Sequence, residues 1–156
     1  MSEARPSGGL DLRNRGRPLD RFLNRLRGTL LLNRFIGWKT LDEENPSRCC
    51  SGHLAQLTIA DDGDIVLHLR PPNSQGDRRM SAEVESWECA ALLNERNSEI
   101  GLVCELPLRD RPRFDNLPEL RTCLHVRICG RWVCDRLHGH NELHPVSSIE
   151  ILRAAA

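Results

Sequence analysis

Leu57-Thr58-Ile59-Ala60-Asp61-Asp62-Gly63-Asp64-Ile65-Val66-Leu67-His68-Leu69 is the stretch that decides the fold class. Leu57 and Ile59 alternate with polar neighbours, Asp61 to Asp64 surround Gly63 with turn chemistry, and Ile65, Leu67 and Leu69 resume the alternation until Pro71-Pro72 stops it. Successive side chains on a strand point to opposite faces, so the pattern predicts an antiparallel hairpin with one apolar face.

Other segments repeat the same period. Leu102, Cys104 and Leu106, after Ile100, alternate against Gly101, Val103 and Glu105, and Pro107 closes that run. Leu124, Val126 and Ile128 share a face that Trp132 and Cys134 continue past Gly130, where the chain is free to bend or bulge. Ile149 and Ile151 mark a terminal strand, and residues 30–38 a first one. Ser81 can cap a helix on which Val84, Trp87, Ala91 and Leu92 lie near one stripe, predicted to end by Asn94 to Asn97. The order predicts a mainly-β chain with one or two helices, an OB-like small β-barrel with a helix between the third and fourth strands. An open α+β sheet is the competing architecture.

The ends and connections read differently. Residues 1–17 are rich in Gly, Pro, Ser and Arg and read as a flexible tail. Residues 18–28, with Leu19, Phe22, Leu23 and Leu26 at helical spacing, read as a short amphipathic helix. Residues 29–153 form the single barrel domain. Asp42 to Gly52, with Asn45-Pro46 and Cys49-Cys50, reads as a loop. Seven cysteines make an odd number without any C-x-x-C pair, and they read as reduced residues more than as disulfides.

Composition bounds the function. The 156 residues carry 22 Lys+Arg and 22 Asp+Glu, but residues 1–40 hold +6 and the remainder −6, so a basic arm precedes an acidic body. No apolar run reaches the roughly 18 residues of a membrane helix, and the opening lacks the charged-then-apolar order of a signal peptide; both predict a cytoplasmic chain without a transmembrane segment. No phosphate-cradling Gly-rich loop or nucleophile elbow is present, so nucleotide hydrolysis and α/β-hydrolase chemistry lack support.

The densest group of candidate ligands lies in Cys134-Asp135-Arg136-Leu137-His138-Gly139-His140-Asn141-Glu142-Leu143-His144-Pro145-Val146. If residues 140–144 are extended, His140, Glu142 and His144 share one face, and Asp135 or His138 can reach them from the turn at Gly139. Two imidazoles and a carboxylate suit a divalent metal such as zinc. A structural account also fits, in which Asp135 and Asn141 shape a turn and Glu142 and His144 tie local groups. Both readings stay open here.

Gly130-Arg131-Trp132-Val133-Cys134-Asp135, followed by His138-Gly139 and Glu142-Leu143-His144-Pro145-Val146, resembles a family of small, mostly uncharacterised bacterial proteins. Their shared pattern is D-x-x-H-G-x-x-E-[IL]-H-P-V. Asp64 to Pro71 and the Val103-Cys104-Glu105 strand are similar to the family's earlier strands, so the likeness spans about residues 54–152. It implies a common β-rich, OB-like module and carries no activity with it.

Two functions of different class follow from this reading. One is a non-enzymatic binding or interaction module for a protein or single-stranded nucleic acid. In its nucleic-acid form Arg13, Arg15, Arg17, Arg21 and Arg25 supply cations, and Trp38 or Trp132 a stacking surface. The alternative is a metal-dependent hydrolase in which His140, His144 and either Asp135 or His138 hold the ion and Glu142 takes the proton of bound water. With so few aromatics and no catalytic motif, a module without turnover is the favoured expectation.

Overall fold

The computed structural model describes residues 37–72 and 86–152. The expected tail, the helix over 18–28, most of the strand over 30–38 and the start of the helix from Ser81 lie outside the described residues. Among those described, six strands follow in order: β1 Trp38–Thr40, β2 Ser47–Ile59, β3 Ile65–Arg70, β4 Leu102–Leu106, β5 His125–Asp135 and β6 His140–Ile151. One short helix, α1 Asn97–Ile100, precedes β4, and single 3-10 turns cover Ala90–Leu92, Leu108–Arg113 and Leu117–Glu119.

The strands run β2-β3-β4-β6-β5, and β5 pairs back onto β2, which closes a five-stranded barrel. Among the described residues only the β4–β6 pair is parallel. β1 adds to the far half of β5, pairing Trp38 with Asp135 and Thr40 with Val133. This is the small mainly-β, OB-like barrel that the alternating segments predict; closure removes the open-sheet alternative. Leu54, Ile65, Leu67, Leu69, Leu102, Leu106, Ile128 and Leu143 fill the interior and are fully buried. No helix among the described residues is long and apolar enough to cross a membrane.

The hairpin forms as expected, with Gly63 at φ +92° in its turn. Gly130 sits at a double register shift between β5 and β6, where an added Cβ would come within 2.9 Å of the Pro145 carbonyl oxygen. The absent side chain lets β6 close against β5.

Three expectations change. The segment read as a loop from Asp42 to Gly52 is one only as far as Pro46; from Ser47 it is the start of β2, which runs 13 residues. Its periodicity was hidden because the bulge between Leu54 and Gln56 switches which parity points inward: Cys50, Gly52 and Leu54 face the core before it, Leu57 and Ile59 after it. The stripe through Trp87 and Leu92 does not form a regular helix in its described part. Trp87 and Cys89 are buried by docking on β2, where Trp87 Nε1 donates to the Ser51 carbonyl at 2.9 Å and the Ser51 amide donates to Glu88 at 3.0 Å, while the Leu92 carbonyl is held by Trp132 of β5 and Asn141 of β6.

Four cysteines are also paired rather than reduced. Cys49 bonds to Cys129, its register partner on β5, and Cys50 bonds to Cys89 in the docked turn. Adjacent strand residues point to opposite faces, so the two neighbours reach different partners. Cys104, Cys123 and Cys134 are free thiols.

Candidate metal centre

The barrel's outward face carries a polar stripe that is largely shielded from water. On β6 the inward side chain is Leu143, whereas His140, Glu142 and His144 point away from the core cluster. Register places Glu142 beside Val103 of β4 on one side and Val133 of β5 on the other, and both valines are buried outside the main core. The same face continues to Glu105 on β4 and Asp135 on β5. Glu142 is 0% exposed, Asp135 2%, Glu105 9% and His144 9%, so three carboxyl groups and an imidazole share a region of low dielectric.

The start of β6 is held in place by Asn97. Its Oδ1 accepts the Asn141 amide at 2.9 Å and its Nδ2 donates to the Asn141 and Gly101 carbonyls at 2.9 and 2.8 Å. Asn141 Nδ2 in turn donates to the Leu92 carbonyl at 3.0 Å. These bonds fix the backbone between His140 and Glu142 and set the direction of both side chains.

Within the stripe, His140 Nε2 donates to Glu142 Oε2 at 3.1 Å. His144 Nδ1 lies 3.7 Å from Glu105 Oε1 and 3.9 Å from Glu142 Oε1. Glu142 Oε1 is buried, and the Trp38 indole lies close enough to Glu142 to help hold its proton affinity down. The Trp38 ring lies flat on His144, with centroids 4.1 Å apart and 6° between planes. Two sets of donor atoms each fall within 4.8 Å of one another: Glu105, Glu142 and His144, and Asp135, His140 and Glu142. A third such group, Asp62, Asp64 and Glu105, extends the negative charge toward the hairpin turn.

Burial is the main reason that Glu105 holds its proton far more tightly than an ordinary carboxyl group, with Glu142 and Asp64 adding repulsion. Burial likewise raises Glu142, while the hydrogen bond from His140 pulls the other way. Cys104, on the core side of β4, is raised by burial and then by Glu142. Each direction has one meaning: negative charge on this face needs a cation or a proton beside it.

The residues singled out from sequence are thus brought together, with distinct positions. His140, Glu142 and His144 share a face as the extended geometry requires. Asp135 joins them, and it also shapes the turn: Oδ1 accepts the Leu137 amide at 2.8 Å and the His138 amide at 3.3 Å. His138 is more than half exposed; its Nδ1 lies 2.6 Å from Asp135 Oδ2 and its ring stacks over His140. Glu105 was missed, because the alternation of β4 marks it as a solvent-facing position. β4 is buried on both faces, and only its packing against β6 reveals that.

The arginines at 13, 15, 17, 21 and 25 lie outside the described residues. The two tryptophans are engaged within the protein: Trp38 on His144, and Trp132 against the core with Nε1 donating to the Leu92 carbonyl at 3.0 Å and Arg48 over its ring. No family model, curated protein or solved structure matches the chain.

Proposed function

We propose that this OB-like barrel is a divalent-cation-binding module, with the ion held by the outward residues of β6 and their neighbours. The observation that carries the reading is Glu142: a fully buried carboxyl group with one oxygen bonded to His140, the Trp38 indole beside it, and Glu105 and His144 within reach in one donor set. An isolated buried carboxylate is expensive, and such groups are paired or coordinate metals. The donor set fits. Ligands at about 2.1 Å around a tetrahedral ion stand about 3.4 Å apart. The 3.7 and 3.9 Å separations about His144 therefore need only small contractions.

Mixed imidazole and carboxylate donors favour zinc or a similar first-row ion over calcium or magnesium. Water on such an ion becomes a nucleophile near neutral pH, so a metal-dependent hydrolase is the enzymatic form of this reading. In that form Glu142 is better placed as a ligand than as the base, because its carboxylate lies between the other donors. Capture of single-stranded nucleic acid draws less support, since Trp38 is stacked on His144 and Trp132 packs on the core beneath Arg48. The two disulfides favour an oxidising compartment over the cytoplasm.

The test is metal analysis of protein purified without an affinity tag, followed by zinc titration after chelation. Binding of at least one equivalent that Glu142→Gln weakens tenfold or more is the expected result. Absence of zinc binding to the folded wild-type protein overturns the proposal.

A further inference from the structure

The two donor sets share a single residue, and it divides between them. Glu142 Oε2 faces His140, with Asp135 in the same set; Glu142 Oε1 faces His144, with Glu105 in that set. Each side therefore offers one imidazole, one carboxylate of its own and one oxygen of Glu142. We propose that Glu142 bridges two divalent cations, one held with Glu105 and His144 and the other with Asp135 and His140. This rests on the cation-binding reading above and extends it to a two-ion centre.

Charge accommodates two ions. Glu105, Glu142 and Asp135 bring three buried carboxyl groups together, and when all three are ionised one divalent ion neutralises only two. The geometry of a bridging carboxylate also suits the spacing. Paired-ion centres hold their metals about 3.5–4 Å apart, a separation that opposite oxygens of one carboxylate can span. Backbone placement supplies the rest: residues two apart on β6 face the same way, so His140 and His144 flank Glu142 symmetrically along the strand.

Both halves are buried: Trp38 lies flat on His144 on one side, and on the other Asp135 meets the exposed His138. His138 is a positioning residue there, holding Asp135 Oδ2 as outer partners hold many metal-binding side chains.

Native mass spectrometry of the full chain titrated with zinc counts the ions, and electron paramagnetic resonance of the cobalt(II) form reports whether they are coupled. Two zinc ions per chain, with cobalt signals lost through coupling at the second equivalent, are expected. Glu105→Gln and His140→Ala should each retain one. A single zinc in the wild-type protein overturns the two-ion centre and leaves the cation-binding reading standing; none overturns both. Two ions without magnetic coupling overturn the bridge. The counts on wild-type protein decide the matter even if a variant does not fold.

Discussion

Glu142 and Leu143 are neighbours on one strand and both are 0% exposed, yet they occupy opposite environments. Leu143 enters the apolar interior and packs over Gly130; Glu142 enters a polar layer on the outside of the barrel. The same contrast recurs on β2, where Cys50 faces the core and Cys49 the exterior. Burial alone therefore does not identify a structural residue. What distinguishes the two sides is whether the buried atoms have partners that satisfy them.

The comparison is tested most strongly by substituting the adjacent pair. Leu143→Ala should cost about 2–5 kcal/mol, the range for emptying a leucine site in a packed core. Glu142→Gln, measured in chelator-treated protein by the same urea titration, should stay within about 1 kcal/mol of wild type or gain stability, since it removes a charge from a region that disfavours it. Equal losses in both variants would show Glu142 to be as structural as its neighbour, and the distinction between the two faces would fail.

The cysteines sharpen it next. Removing the inward bridge by Cys50→Ala with Cys89→Ala should cost about 2–4 kcal/mol through release of a closed loop. Under mild reduction and alkylation, mass mapping should find Cys49 and Cys129 labelled before Cys50 and Cys89, because Cys49 is exposed while Cys50 and Cys89 are each 1% exposed. Labelling in the reverse order would contradict the assignment of inside and outside on β2.

The smallest effect concerns polar residues left on the open exterior. His53 and His125 are register partners whose rings meet edge to face at 6.1 Å. Burial chiefly, then His125 and Arg70, holds His53 below its usual value of 6.5. The unfolded chain therefore binds more protons in the window between that lowered value and 6.5. His53's contribution to stability is full above 6.5 and is lost as pH falls through the window. Proton NMR of the ring should show the depressed midpoint, and His125→Asn should raise it only slightly because burial dominates. A midpoint at or above 6.5 would remove the contribution.

Much of the barrel was legible because alternation is a local property. Leu57 to Leu69 carries its hairpin in thirteen consecutive residues, and the shared face of His140, Glu142 and His144 follows from extended backbone alone. Where the signal depended on distant chain, it disappeared. A bulge after Leu54 scrambled the parity of β2, the docking of Trp87 on Ser51 replaced a helical stripe, and Glu105 looked like a solvent position until β6 came to lie beside it.

Sequence alone determined that this chain would form alternating strands, turn at Gly63, yield at Gly130 and line up three potential ligands near its end, because those outcomes depend on dihedral preferences and a period of two. Tertiary structure alone decided that Glu105 joins them, that Asp135 stands in the donor set where His138 does not, and that Cys49 and Cys50 find separate partners. Those meetings are made by strand register between segments up to 80 residues apart, and register follows from how the whole interior packs.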